Sequence, residues 1–297
     1  LLVDLTSSLA KRTDVFPHSI YIQSQGITNA HHRGERRQPM PNTAPKQNDL
    51  VDVLGHRAKV GVLVPASNTI VEPEMAAMQP PGVTNHVSRM SRVKRPAHDL
   101  EKYKKYLGAS VDMEAAIDVL IACEPDIIVH GHSVDSLAKG MVGADAMKQK
   151  MESMSGGIPV MLPAHALLKA LEKLGKPKNL GILTPWMPPA DEACAAFFNE
   201  AGYDVMAIKG LQHPTPLHIA TATPDVLNKA VDEINVDGVD CIIKVGTNSS
   251  MSFLVEEMEA RLGKPVLTVN VITYWAGLRT LGIEDRVKGF GQLAANH

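Results

Sequence analysis

VGVLVP at residues 60–65 decides the fold, because the same pattern returns as LGILTP at residues 180–185. Each stretch is an apolar run of strand length that ends at a proline and leads into a segment with helical spacing. Working outward from these two stretches, short apolar runs alternate with helical segments over residues 57–281. This alternation predicts parallel sheets that are covered by helices on both faces.

A second pair of matching segments follows the first pair, with PDII at residues 125–128 and VDCII at residues 239–243. Any two α/β segments share some likeness, but the paired spacing favours a duplication. We therefore predict an α/β fold of two pseudo-symmetric lobes. Each lobe is expected to be a four-stranded parallel sheet flanked by helices.

The predicted boundaries place the first lobe at residues 57–164 and the second lobe at residues 165–270. A C-terminal helix over residues 271–297 is expected to complete the first lobe. Residues 1–56 differ, because they include a polar, basic and proline-rich stretch, which favours a flexible extension. The alternative is an arm that wraps a neighbouring subunit, and we expect a homo-oligomer.

The composition argues against several classes of partner. The 297-residue chain has a formal net charge of −2, and 4% of its residues are aromatic. Neither value favours nucleic acid or an anionic membrane, and no apolar run approaches the roughly 20 residues of a membrane helix. Three scattered cysteines without a Cys-x-x-Cys pair exclude a thiolate zinc site and fit a reducing compartment. We expect a cytoplasmic protein without nucleic-acid or membrane partners.

Polar groups cluster in DIIVHGHSVDS at residues 126–136, where a buried strand is predicted to end. Ligands of parallel sheets bind beyond the carboxyl ends of the strands. His132 is the leading candidate for a general acid or base, since imidazoles titrate near neutral pH. Asp135 would orient the ring, and Ser133 would cap the next helix or donate to a substrate. The alternative is that His132 is a neutral histidine that caps this helix.

His130 lies two residues before His132, so both rings are predicted to point to one face of the strand. A His-x-His pair can bind a metal, but the spacing offers no convincing third ligand. We therefore predict no metal at this pair, with His130 as a packed structural residue.

Two hydroxyl- and amide-rich segments follow other predicted strands: Ser67, Asn68 and Thr69 in the first half, and Thr247, Asn248 and Ser249 in the second. Such groups, together with helix N-terminal N–H groups, suit a carboxylate or another small oxyanion. The alternative is that they cap the helices that follow. Both roles are compatible, and we predict that Asn68 anchors the carboxylate.

Three segments resemble the maleate cis–trans isomerases: VGVLVPASNTIVEPEM at residues 60–75, HVSRM at 86–90 and GKPVLTVN at 263–270. That family belongs to the aspartate/glutamate racemase superfamily, together with the arylmalonate decarboxylases. The resemblance covers about residues 57–285. It implies a two-lobed α/β fold, chemistry without cofactor or metal, and a cleft between the lobes that closes on a small carboxylic acid.

The resemblance also implies a cysteine at the end of the third strand of each lobe. Those positions are interpreted as His132 and Thr247, so both catalytic thiols are expected to be replaced. Trp186 stands where the family usually has Tyr and is expected to contact the substrate. Glu72 and Glu74 match the family's Glu-x-Glu and are interpreted as partners of a helix dipole.

These residues predict an isomerase or lyase-type enzyme that moves a proton on a small organic mono- or dicarboxylic acid. His132, Asp135 and Thr247 are the catalytic candidates. The predicted substrate contacts are Ser67, Asn68, Thr69, Ser133, Trp186, Asn248 and Ser249. Two alternatives stay open: a hydrolase in which His132 activates water, and a non-catalytic relative that binds an organic acid.

Overall fold

The first sheet is built on β1 (Ala58–Pro65), whose interior is a continuous run of buried residues. It also contains β2 (Val83–Met90), β3 (Ile127–His130) and β4 (Val160–Met161). All neighbouring strands are parallel, in the order β2-β1-β3-β4. The computed structural model describes residues 51–91 and 113–297.

The second sheet repeats this arrangement. Its strands are β5 (Asn179–Thr184), β6 (Asp204–Gly210), β7 (Cys241–Lys244) and β8 (Val266–Thr268). They are again parallel, in the equivalent order β6-β5-β7-β8. The predicted fold class, two four-stranded parallel sheets flanked by helices, is confirmed.

The repeated aspartates explain part of the sequence echo. Asp126 accepts a hydrogen bond from the backbone N–H of Lys59 at 2.7 Å, and Asp240 accepts one from the N–H of Asn179 at 2.9 Å. Each carboxylate therefore ties the beginning of a third strand to the beginning of the neighbouring first strand of its sheet. The two sheets are therefore equivalent in these hydrogen bonds as well as in their strand order.

Helices cover both sheets, and the sheet β1–β4 with its helices is here called the first lobe, the sheet β5–β8 with its helices the second lobe. The helices are α1 (Val71–Ala77), α2 (Glu114–Ile121), α3 (Val134–Leu137), α4 (Gly140–Met154), α5 (Pro163–Lys173), α6 (Pro188–Glu200), α7 (Pro216–Ile219), α8 (Pro224–Ile234), α9 (Val255–Leu262), α10 (Val269–Thr280) and α11 (Gln292–Asn296).

The C-terminal segment differs from the prediction of one helix over residues 271–297. The helix α10 ends at Thr280, and α11 begins only at Gln292. Gly282 has a φ of +73° in the turn that follows α10, a backbone conformation that stops a helix and that glycine adopts without strain. The helix α10 packs against α1, α5 and β3.

Some predictions lie outside the described residues. These concern most of the extension at residues 1–56. Within residues 51–91 and 113–297, no helix combines the length and the apolar character needed to cross a bilayer.

Candidate functional site

The strand-end loops of the two lobes meet through direct hydrogen bonds. The amide of Asn68 donates to the hydroxyl of Thr247 at 3.1 Å. The backbone N–H of Thr69 donates to the side-chain oxygen of Asn248 at 2.8 Å. These bonds place the two predicted oxyanion-binding segments against each other.

A third bond joins the lobes beside the histidine cluster. The backbone N–H of Gly246 donates to the hydroxyl of Ser133 at 3.1 Å. Gly246 has a φ of +88°, and a Cβ there would lie 2.3 Å from Pro185, so this close approach requires glycine. Since Ser133 follows His132 and Gly246 precedes Thr247, the bond brings these two candidate segments together.

The capping role that the sequence suggested for Asn68 is confirmed. Its side-chain oxygen accepts hydrogen bonds from the N–H groups of Ile70 and Val71, each at 2.9 Å, and so caps the beginning of α1. Its amide nitrogen is left to face Thr247. The guanidinium of Arg89 donates to the Asn68 carbonyl at 2.7 Å and holds the residue from the other side.

Three hydroxyls at this interface keep a hydrogen to donate. Those of Thr247 and Ser133 each accept a bond in the contacts above, which leaves their own hydrogens for a ligand. The hydroxyl of Ser249 is buried and has no hydrogen-bond partner within the described part of the chain. Such donors suit a carboxylate or an enolate oxygen.

Asp135 lies between two imidazoles. One of its carboxylate oxygens, Oδ2, is 3.0 Å from His130 Nε2 and also 3.0 Å from His132 Nδ1. The first contact is a hydrogen bond, whereas His132 Nδ1 is not aligned for one. Burial alone would raise the pKa of Asp135, but His132 and His130 hold it well below its usual range. The predicted Asp135–His132 pairing is thus close in space, with His130 fully buried behind it.

The same three side chains are the group that could hold a cation. Their donor atoms all lie within 4.8 Å of one another. The expectation that no acidic side chain completes the His-x-His pair is therefore wrong, because the first turn of α3 brings Asp135 back to both rings. The hydrogen bond from His130 already satisfies that carboxylate without a metal.

Glu74 lies in the first turn of α1, where a helix-dipole partner is expected, but its carboxylate is also buried. It is 1% exposed, and its carboxylate accepts bonds from the Ser250 hydroxyl at 3.1 Å, the Ser252 N–H at 3.2 Å and the Asn270 amide at 2.6 Å. A buried, hydrogen-bonded carboxylate is not a surface dipole partner. The signal was present in the sequence, because positions 71, 74, 75 and 78 have the spacing of one buried helix face, and all four are buried.

Lys244 is a second buried charge that the sequence analysis missed. Its ammonium donates to the carbonyls of Gly246, at 2.9 Å, and Ser249. Burial lowers its pKa to about 8, while the negative charge of Glu74 opposes that change. A lysine at the end of an otherwise apolar strand was the available signal.

Asp191 is a third. Its carboxyl accepts a hydrogen bond from the Thr184 hydroxyl, which itself accepts one from the Trp186 N–H at 3.0 Å. Burial raises the pKa of Asp191 to about 7. Trp186, predicted to contact substrate, has its side chain in the hydrophobic core, 4% exposed.

Asn248 and Ser67 form hydrogen bonds through atoms other than those expected to bind a ligand. Both side-chain hydrogens of Asn248 have acceptors, the Pro216 carbonyl at 2.8 Å and the Ser67 carbonyl at 3.5 Å. Asn248 therefore links three segments rather than offering its amide freely. Ser67 contributes its carbonyl to that link.

The strand registers correct one assignment. His130 pairs with Leu63, and Lys244 pairs with the equivalent Leu183. Counting on from these residues, Ser133 corresponds to Thr247, and His132 corresponds to Gly246. The expectation that His132 and Thr247 occupy equivalent positions is wrong by one residue, because it aligned the glycines Gly131 and Gly246.

The three cysteines lie outside the segments that follow β3 and β7. Cys194 is within α6 and Cys241 begins β7; both are fully buried, and burial raises the pKa of each thiol. Cys123 follows α2, and its thiol donates to the Leu120 carbonyl at 3.1 Å. Neither residues 131–137 nor residues 245–250 contain a cysteine.

The chain has relatives of known name. The sequence model of the arylmalonate decarboxylase family matches residues 60–294. A maleate isomerase of Pseudomonas putida is 29% identical over 250 residues, which are 79% of this chain and 96% of that protein. A maleate isomerase of Alcaligenes faecalis is 28% identical over 251 residues, 79% of this chain and 95% of the relative.

Solved structures share the fold. The Nocardia farcinica maleate cis–trans isomerase with a covalently bound succinylcysteine intermediate superposes with a TM-score of 0.72 at 22% identity, over 81% of this chain and 99% of its own. Unliganded arylmalonate decarboxylase gives a TM-score of 0.65 at 18% identity, over 81% of this chain and 100% of its own.

Proposed function

The chain belongs to the arylmalonate decarboxylase family, and on that premise we propose an isomerase or lyase-type enzyme that acts on a small organic acid by proton transfer, without a cofactor. The observation that carries the proposal is the set of hydrogen bonds between the strand-end loops of the lobes. They gather oxyanion-binding groups beside the segment that carries His132 and Asp135. The relatives of this chain described above include maleate isomerases, whose name indicates an acid substrate, and this supports the proposal.

The proposed binding step uses donors from both lobes. The amide of Asn68 and the backbone N–H of Thr69 hold the carboxylate from the first lobe, and the hydroxyl of Thr247 holds it from the second. Asn248 positions Thr69 through the bond that its side-chain oxygen accepts. The acid replaces part of the bonding that now joins these groups to each other. The hydroxyls of Ser133 and Ser249 supply further donors where charge develops.

The proposed proton transfer uses His132. Asp135 places a carboxylate oxygen 3.0 Å from Nδ1, and the hydrogen bond from His130 fixes that carboxylate in turn. In a decarboxylation, the bond from carbon to the leaving carboxyl group breaks and CO₂ departs. The electron pair passes into an enolate, and His132 donates a proton to that carbon.

The position of the cysteines favours such a reaction over thiol addition. The Nocardia relative has been captured with a succinylcysteine, so a thiol forms a bond to carbon in that protein. We infer that the corresponding strand ends of this chain carry no thiol, since His132, Ser133, Gly246 and Thr247 stand there. Proton transfer or decarboxylation then fits this chain better than cis–trans isomerisation of maleate.

The test is to measure turnover of a panel of substituted malonates and of maleate. Turnover is detected as CO₂ release, fumarate formation or deuterium uptake from D₂O. His132→Gln should lower turnover of the accepted acid by about 10²-fold or more, the usual contribution of general acid–base catalysis. The matched control is His165→Gln. His165 also pairs with a carboxylate, Asp145, at 2.8 Å, but at the surface.

Other results would point elsewhere. Wild-type turnover by the His132→Gln variant contradicts the proposed proton transfer. Malonate binding without turnover of any acid supports a non-catalytic binding protein. Turnover that a chelator abolishes and added metal restores assigns His130, His132 and Asp135 to a cation instead.

A further inference from the structure

The buried carboxylate of Glu74 is satisfied by partners outside its own helix. Ser250 and Ser252 lie in the loop after β7, in the second lobe, and Asn270 lies at the beginning of α10. Burying a carboxylate costs free energy of folding unless its lone pairs accept hydrogen bonds. The folded state therefore favours the positions in which these three donors reach the carboxylate. Glu74 therefore fixes the loop at residues 246–252, here called the second-lobe loop, from the first lobe.

The link continues to the candidate site. The Asn270 amide also donates to the Thr247 carbonyl at 2.9 Å. The Thr247 hydroxyl in turn accepts from the Asn68 amide at 3.1 Å. A chain of hydrogen bonds thus runs from Glu74 through Asn270 and Thr247 to Asn68, and both of its ends lie in the first lobe.

The second-lobe loop is also held from its own sheet. Lys244 is 1% exposed, and its ammonium bonds the carbonyls of Gly246 and Ser249. Residues 246–252 therefore lie between a buried anion and a buried cation. Two such charges hold the carbonyl and N–H groups of this loop in defined directions.

We propose that Glu74 and Asn270 are positioning residues, which set the second-lobe loop so that Thr247 and Asn248 face the acid-binding groups of the first lobe. Neither side chain needs to touch the substrate for this role. The consequence for acid binding rests on the proposed function, whereas the consequence for the loop does not.

The experiment compares Glu74→Gln with Glu72→Gln in the full chain. Glutamine keeps the shape of residue 74 but turns an N–H group toward the Asn270 amide, so one bond is replaced by a donor–donor contact. Glu72 is the matched control, because it lies on the same helix in an exposed pair with Arg89 at 2.9 Å. Asn270→Ala breaks the same link from its other end.

The first readout is amide hydrogen exchange without ligand. Glu74→Gln and Asn270→Ala should each accelerate exchange in residues 246–252 by about tenfold or more, with little change in β1 and β5. Glu72→Gln should leave exchange unchanged. Equal acceleration throughout the sheets, or an unchanged second-lobe loop in both variants, overturns the proposal.

The second readout is malonate affinity by calorimetry. It should weaken about tenfold in Glu74→Gln and Asn270→Ala and stay at the wild-type value in Glu72→Gln. An unchanged affinity in a variant whose loop is loosened contradicts the positioning role. A wild-type protein that binds no malonate counts against the proposed function, and the exchange result then decides the role of Glu74 alone.

Discussion

Asp191 shows how strongly a single buried residue can respond to pH. Its carboxyl accepts a hydrogen bond from Thr184 and packs tightly against the backbone at Gly210. An added Cβ on Gly210 would clash with the carboxylate. Burial raises its pKa from 3.8 to about 7. The folded protein therefore favours the protonated acid, whereas the unfolded chain ionises it at lower pH.

Asp191 should thus stabilise the fold fully below its unfolded pKa, and lose that contribution as pH rises through about 7. Asp191→Asn keeps the shape without the charge, so it should remove this dependence. We expect the variant to be more stable than wild type by on the order of 4 kcal/mol near pH 8.5, and by only about 1–2 kcal/mol near pH 5, where the carboxyl of the unfolded chain is already ionised. Urea unfolding at both pH values measures this.

The control for that series is Asp145→Asn, which removes an exposed carboxylate paired with His165. Its effect should be small at both pH values. A stability difference between wild type and Asp191→Asn that does not change with pH would assign the effect to packing rather than to ionisation.

Residue types at strand ends could be predicted from the sequence, but their partners could not. Asn68, Ser133 and Thr247 were selected because hydroxyls and amides follow apolar strands, and they do lie at the lobe interface. Glu74 and Lys244 were missed, although each lies on a face that the pattern marks as buried, because the sequence does not show which groups satisfy a buried charge. The donors to Glu74 come from distant segments, which only the fold brings near.

At the scale of elements, VGVLVP and LGILTP could be predicted as strands, because the central strands β1 and β5 are buried and apolar almost throughout. The alignment of the two halves was less secure. Glycines suggested that Gly131 matches Gly246, whereas the strand registers match His130 with Lys244. The aspartates Asp126 and Asp240 are the better guide, since each anchors a strand beginning by the same hydrogen bond.

Gly131 connects β3 to α3 where the chain passes close to β1. Its N–H donates to the Leu63 carbonyl at 2.7 Å, and an added Cβ would lie 2.8 Å from Val64 Cγ1. Gly131→Ala should therefore shift His132 and lower turnover of the accepted acid, and should destabilise the fold by about 1–3 kcal/mol. Thermal unfolding and the turnover assay measure both effects.

A second substitution tests the cause. Val64→Ala removes the methyl group that the new side chain would meet, so the double variant should be more stable than the sum of the single changes predicts. Strict additivity of the two losses would show that the strain at residue 131 comes from another contact.

At the scale of the whole molecule, the two sheets share one hydrophobic core. Val62 and Val129 of the first sheet belong to the same buried cluster as Ile182 and Ile243 of the second. The described residues 51–91 and 113–297 accordingly lie in one compact unit. The lobes at residues 57–164 and 165–270 remain a proposed description of the duplication, and a shared core argues that they do not fold separately.

The two tryptophans of the chain can test this cooperativity, because one lies in each part of the core. Trp186 follows β5 in the second lobe, and Trp275 lies in α10, which packs on the first. Trp186→Phe leaves Trp275 as the reporter, and Trp275→Phe leaves Trp186. In urea, the fluorescence midpoint of each variant should coincide with that variant's own midpoint by circular dichroism. Since the interlobe bonds of Glu74, Asn68 and Ser133 break when either lobe unfolds, separated midpoints would mean that these bonds do not couple the lobes.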